Sequence, residues 1–134
     1  SKKDFIVNYD QNSNPLNITK SIEIVYGLRN FIGNANKFSE NKIFINIKSD
    51  SDFTEVMIED DGEGYPKDVL SKIGEPYIKS FKSSIKSKSG LGLGIFIGKT
   101  LLEKNYANIL CRNSQTRSGA EVSIKWKNED LLKL

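Results

Sequence analysis

Histidine is absent from all 134 residues, which removes every mechanism that needs an imidazole base or nucleophile from this chain. Cysteine occurs once, as Cys111. An internal disulfide is therefore excluded, and no cysteine and histidine cluster exists to hold zinc, so the composition suits a reducing compartment, with the cytosol expected. No uninterrupted apolar run approaches the roughly 18 residues of a membrane helix, and no charged start with an apolar middle opens the chain. The piece reads as soluble. Its abrupt opening at Ser1 is also compatible with a piece cut from a longer protein, a membrane protein included. Nor is there a strong excess of one charge: 20 Lys plus Arg against 17 Asp plus Glu give +3 and a pI near 8.9. That balance is too mild to imply nucleic acid.

What is present fits one domain spanning 1–134, able to bury roughly two thirds of its unfolded surface. Charges are segregated along it, with lysines at 79, 82, 86 and 88 and acids at Glu59, Asp60, Asp61 and Glu63. Phe5 to Tyr9 reads as a short strand and Gln11 to Asn17, with Pro15, as a loop. A helix follows from about Lys20 to Phe38, with Asn17 or Thr19 expected as its cap and Ile22, Val25, Leu28, Ile32 and Ala35 as its apolar stripe. Ile43 to Lys48 and Thr54 to Glu59 alternate as two strands of a hairpin. After Pro66 a short helix to Ile73 is expected, then a long Lys- and Ser-rich loop over about 74–89 that suits a lid. Gly90 to Gly94 open a helix to Lys104, and strands at Ala107 to Arg112 and Ala120 to Trp126 are joined by a turn at Gly119.

Three clusters carry chemistry. On the first long helix, Asn30, Asn34 and Lys37 share one face at i, i+4 and i+7. An amide oxygen suits a hard cation such as magnesium and a lysine suits phosphate, although such a face also fits a solvated helix. Asp60-Asp61-Gly62-Glu63-Gly64 ends an apolar strand, where a buried carboxylate can accept a hydrogen bond from an adenine amine and glycines admit a ligand to the main chain. A calcium loop would need a glutamate at its twelfth position, and Ser71 stands there. Gly90, Gly92 and Gly94 open a helix, whose free N–H groups favour a phosphate. The dinucleotide fingerprint fails because Ile95 stands where it needs glycine, and Gly94 to Thr100 is one residue short of a P-loop. Lys99 is then an ordinary helix lysine.

In this order and at these spacings, the clusters resemble the ATP-binding catalytic domain of sensor histidine kinases over about residues 20–126. Asn30 to Ser39 looks like the asparagine box and 60–64 like the first glycine box. Gly74-Glu75-Pro76-Tyr77 looks like the aromatic box, Gly90 to Gly94 like the second glycine box, and Ser118-Gly119-Ala120 like the closing glycine turn. The resemblance implies an α/β (α+β) two-layer sandwich of the Bergerat type. A mixed, mostly antiparallel sheet would pack on helices, with ATP under a flexible lid. Carried over, Asn34 would bind Mg2+, Asn30 would line the phosphate side and Lys37 would contact phosphate. Asp60 would read the adenine amine, Gly62 and Gly64 would shape its pocket, and Gly90, Leu91 and Gly92 would border the phosphates. Tyr77 and Phe81 would anchor the lid, with Lys79, Lys82, Lys86 or Lys88 reaching the γ-phosphate.

Departures from the family pattern are Tyr77 for the usual Phe, Lys88 for a frequent Gly, and Asp61 for the commoner Asn. None removes a ligand. The runs Gly74 to Tyr77, Gly90 to Ile97 and Lys99 to Glu103 further resemble redox-responding kinases of the RegB type, while Cys111, a lone cysteine after the apolar Ile109-Leu110, reads as core. Related gyrase-type and Hsp90-type ATPases carry a water-activating glutamate where Asn30 stands, and an amide is no general base. The resemblance therefore favours phosphotransfer over hydrolysis. It implies a histidine-containing dimerisation domain of the same protein as acceptor, a response regulator downstream and no nucleic-acid partner. This cytoplasmic domain would be monomeric by itself, within a homodimeric parent that inner-membrane segments can anchor. A protein serine kinase of the anti-sigma type, an ATPase and a non-catalytic nucleotide-sensing module are the alternatives.

Overall fold

The computed structural model describes residues 3–10, 21–73 and 91–134. The expected lid and the expected Gln11 to Asn17 loop lie outside these residues. Strands β1 (Asp4–Tyr9), β2 (Lys42–Ser49), β3 (Phe53–Asp60), β4 (Asn108–Asn113) and β5 (Ala120–Lys127) form one sheet in the order β1-β2-β3-β5-β4. β1 runs parallel to β2, which requires a crossover, and α1 (Ile22–Phe38) lies in that connection. The other pairs are antiparallel. α2 (Lys67–Ile73) and α3 (Leu91–Lys104) follow β3, and a single turn, α4 (Asn128–Leu131), follows β5. The mixed, mostly antiparallel sheet and its helices are those expected.

Alternation along the strands sends Ile43, Ile45, Ile58, Val122, Ile124 and Trp126 into one buried cluster with Ile24, Phe31 and Ala35 of α1 and Ile95 and Leu102 of α3. α1 and α3 meet where Gly27 and Gly98 face one another. A Cβ on Gly27 would stand 2.5 Å from Leu102 Cγ, and one on Gly98 2.9 Å from Phe31. That close approach sets the rotation of α1. Its buried stripe is Ile24, Gly27, Phe31 and Ala35, whereas Ile22, expected in the stripe, is 68% exposed. The helix cap also differs from expectation. Ser21, rather than Asn17 or Thr19, is the N-cap, its Oγ accepting from Ile24 N at 3.3 Å. Gly98 and Lys99 sit inside α3, and Lys99 pairs with Glu103 one turn on at 3.0 Å, so this stretch is indeed no phosphate loop.

Candidate functional site

The C-terminal half of α1 and the C-terminal end of β3 converge on a cleft. Its walls are Phe31, Asn34, Ala35 and Phe38 from α1, Ile58 and Asp60 from β3, Gly64 and Tyr65 from the segment that follows, and Ala120 and Val122 from β5. Apolar walls with two polar groups in the floor are what a flat heterocycle needs: area to stack on, and a few fixed partners to orient it.

Asp60 is the polar floor. It is 4% exposed, and both backbone N–H groups that reach it, Gly62 at 2.9 Å and Ala120 at 3.3 Å, donate to Oδ1. Among the described residues, Oδ2 is therefore the oxygen left for a ligand's donor. Burial pushes the Asp60 carboxyl above its ordinary value and the neighbouring Asp61 charge adds to this, while the two N–H donors act against them. Desolvation winds the group up rather than relaxing it, so a ligand N–H that reaches Oδ2 meets a strong, poorly solvated acceptor.

Close backbone contacts surround this carboxylate. A Cβ on Gly62 would lie 2.1 Å from the Phe38 carbonyl oxygen at the end of α1, and one on Gly119 would lie 2.1 Å from Asp60 O. Gly64 has φ +86, a left-handed conformation that other residues resist. Asn113 at the end of β4 holds the next peptide from both sides, accepting from Tyr65 N at 2.6 Å and donating to Tyr65 O at 3.2 Å. The Tyr65 hydroxyl meets the Cys111 sulfur behind the wall. Burial raises both groups, Tyr65 well above its usual range and Cys111 to about 12. A thiol in that state is a packing group, as its sequence context suggests.

Asn34 forms the second polar element. Its Nδ2 is buried with no hydrogen-bond partner among the described residues, as is Trp126 Nε1, but only Asn34 lines the cleft. An unpaired buried amide costs about 1–3 kcal/mol, so it is a group waiting for a partner. Gly94 makes room for it, since a Cβ there would stand 2.7 Å from Asn34 Oδ1.

The other expected site residues are placed differently. Asn30 is half-buried and its Nδ2 donates back to Tyr26 O at 2.8 Å, and Lys37 is exposed with its Nζ 5.2 Å from the Phe38 ring centroid. Asn34, Asp60 and Gly64 share the cleft, and Gly62 stands behind it. Leu91 and Gly92 fall in the first turn of α3, while Tyr77 and Gly90 lie outside the described residues. Tyr65, Asn113 and the apolar walls escaped the reading of the sequence. Only Tyr65 had a local signal, as the apolar residue directly after the glycine pair.

The description "Histidine kinase-, DNA gyrase B-, and HSP90-like ATPase" covers a family whose profile matches residues 19–130. The chain belongs to this family. Sensor histidine kinase RegB of Cereibacter sphaeroides is 34% identical over 131 residues, covering 86% of this chain and 28% of RegB. A putative NtrY-like sensor histidine kinase of Rickettsia felis is 32% identical over 93 residues, covering 69% of this chain and 14% of that protein. The chain thus spans under a third of these relatives. Among solved structures, the catalytic domain of histidine kinase ThkA superposes with a TM-score of 0.70 at 22% identity, covering 93% of this chain and 80% of that one. Mycobacterial sensor kinase MprB gives 0.66 at 21% identity, covering 92% and 80%. Full-length ShkA, solved with AMPPNP, gives 0.64 at 20% identity, covering 91% and 25%. These structures establish the fold as that of histidine kinase catalytic domains, and the RegB match agrees with the resemblance to kinases of the RegB type. Among the described residues no helix is long and apolar enough to cross a membrane, and no group of three or more His, Cys, Asp or Glu side chains is assembled for a metal.

Proposed function

We propose that this domain binds Mg-ATP in the α1–β3 cleft and presents the γ-phosphate to a histidine on the dimerisation domain of a parent two-component sensor kinase, for onward transfer to a response regulator. The observation that carries the reading is the meeting, in one apolar cleft, of a 4%-exposed carboxylate, Asp60, with Asn34, whose buried Nδ2 has no partner among the described residues. Asp60 Oδ2 would accept the adenine 6-amino hydrogen while Phe31, Phe38 and Tyr65 flank the ring. Asn34 would supply Oδ1 to Mg2+, a cation that keeps phosphate oxygens and waters as its remaining ligands and so needs no all-protein cage, while its orphaned Nδ2, a donor that cannot ligate a cation, would donate to a phosphate oxygen. The ion, when bound, neutralises charge on the phosphates. The exposed Lys37 ammonium and the N-terminal turn of α3 with Leu91 and Gly92 would attract the phosphate chain.

The chain has no histidine, so the acceptor lies elsewhere. In the transfer, an imidazole nitrogen bonds to the γ-phosphorus as the bond to the β–γ bridging oxygen breaks and ADP departs. Asn30, at the position of the hydrolases' base, is an amide engaged with Tyr26 O, which disfavours water activation. The test is calorimetric titration with a non-hydrolysable ATP analogue, with and without Mg2+ and with GTP as control. Incubation with a histidine-containing dimerisation fragment follows, read as acid-labile phosphate. Adenine-selective, Mg2+-dependent binding and labelling of the fragment are expected; binding without transfer to any such fragment would reduce the domain to a nucleotide sensor.

A further inference from the structure

On the outer face of the sheet, opposite the cleft, Glu59 stands directly across from Glu121 in the β3–β5 register. Both are 7% exposed. Two buried acids in register repel one another unless each has its own cation. Arg112 pairs with Glu121, and Arg117 reaches Glu59 at 3.6 Å while its guanidinium stacks on the ring of Phe44, 3.6 Å from the centroid. Phe44 is itself the β2 partner of Glu59. Ser114 completes the cluster. Its hydroxyl donates to Glu59 Oε2 at 3.0 Å and accepts from the N–H groups of Thr116 at 3.3 Å and Arg117 at 3.1 Å.

Residues 114–119 form the β4–β5 turn, and its far end is the wall of the cleft. Gly119 lies against Asp60, Ala120 N donates to Asp60 Oδ1, and the Ser118 hydroxyl reaches Gly62 O at 3.4 Å from a left-handed backbone, φ 56. Arg117 is thus two residues from the peptide that abuts Asp60. Neighbouring residues of one strand grip the same turn from the two faces of the sheet, Glu59 from outside and Asp60 from inside.

We infer that the Glu59–Arg117–Ser114 cluster is a positioning device for base selectivity: it pins the β4–β5 turn so that Ala120 N occupies Asp60 Oδ1 and Oδ2 is presented to the purine 6-position. None of the three touches the ligand. The inference rests on the reading of Asp60 as the adenine contact. With the turn released, Oδ1 loses a donor and the carboxylate is free to rotate, so its preference for an amino over an oxo group at the 6-position falls. Contacts to the phosphates, made on the other side of the cleft, are untouched.

The experiment measures affinities for ATP, the 6-oxo analogue ITP and inorganic triphosphate in the parent chain, Arg117→Ala, Ser114→Ala, Arg117→Lys and Asp60→Asn. Ser114→Ala removes a single hydroxyl and keeps the test open where Arg117→Ala folds poorly. Fluorescence of Trp126, the one tryptophan, reports folding. The ATP-over-ITP preference is expected to fall about three- to tenfold in the two alanine variants, the range of one weakened hydrogen bond to a charged group. Triphosphate affinity should hold within about twofold, and Arg117→Lys should restore much of the preference. A preference that survives in folded Arg117→Ala and Ser114→Ala, while Asp60→Asn abolishes it, would overturn this inference alone. No preference in the parent chain, or one indifferent to Asp60→Asn, would overturn the reading of Asp60 and this inference with it.

Discussion

Glu59 and Asp60 are neighbours on β3 and almost equally buried, at 7% and 4% exposure, yet the fold treats them in opposite ways. Outside, acids are matched: Arg117 and Ser114 serve Glu59, Arg112 serves Glu121, and Lys48 and Ser123 serve Glu55. Inside, Asp60 is held by two N–H groups on one oxygen and has its pKa raised by burial, and Asn34 has no partner for its Nδ2 among the described residues. The outer face is complete without a ligand, whereas the inner face is not. Trp126 Nε1 is the other unpaired buried atom among the described residues, but it does not line the cleft; an unpaired polar group that does line one marks where stability has been given up for binding.

The largest way to break this contrast is Asp60→Asn. Nucleotide affinity should fall roughly 10- to 100-fold, the span of a charge-assisted hydrogen bond, while inorganic triphosphate affinity barely changes. Stability should move the other way. A carboxyl whose folded pKa is raised contributes stability that is fully present below its unfolded value and lost as pH rises through the folded value. At neutral pH the ionised Asp60 is therefore a burden, and the melting temperature of Asp60→Asn should match or exceed that of the parent. A variant that loses both binding and stability would show that Asp60 is structural. Next in size is Asn34→Ala, expected to abolish the Mg2+ dependence of binding. Gly94→Ala should do the same indirectly, because its Cβ would stand 2.7 Å from Asn34 Oδ1. Titration with and without Mg2+ checks both.

The contrast was partly legible in the chain. Asp60 at the end of an apolar strand, followed by two glycines, fitted a buried carboxylate; helical spacing put Asn34 on one face with Asn30 and Lys37, and only the family resemblance brought the two clusters to one site. Local pattern could not choose between Ile22 and Ile24 as the inward residue of α1, because that rotation is set by Gly27 meeting Gly98 on another helix. Nor could it put Asn30, Asn34 and Lys37 to different uses. Their shared face is a helical property, but the enclosure of Asn34 Nδ2 follows from where Gly94 of α3 packs against it. Asn113 was invisible for the same reason: its bidentate hold on Tyr65 spans 48 residues of sequence and exists only once β4 is docked. Motifs that bind through their own backbone can be read locally, whereas groups that hold those motifs in place come from register and packing.

Asp61 sharpens the comparison at intermediate size. Its side chain accepts from Glu40 N, Asn41 N and Lys42 N, tying the α1–β2 connection to the end of β3. Burial acts to raise its pKa, but these N–H groups outweigh it and hold the carboxyl below its ordinary value. The sign is opposite to that of Asp60: this stabilisation is present above the unfolded carboxylate range and is lost as pH falls through the folded value. Asp61→Ala should cost about 1 kcal/mol at pH 7 and flatten the acid side of the stability curve, measured by denaturant unfolding between neutral and acidic pH.

The smallest effect belongs to the outer face. Lys48 meets Glu55 at 3.6 Å with its own side chain 68% exposed, so water screens the pair and ordering the lysine offsets what Coulomb attraction contributes. Lys48→Ala should change unfolding free energy by less than about 0.5 kcal/mol and leave nucleotide affinity unaltered. Glu55 also keeps the Ser123 hydroxyl at 2.7 Å, so the acid is not stranded when the lysine goes. A loss of affinity in this variant would mean that the outer face senses the cleft along its whole width. Confinement of such effects to the Arg117 end would show that coupling runs through the β4–β5 turn.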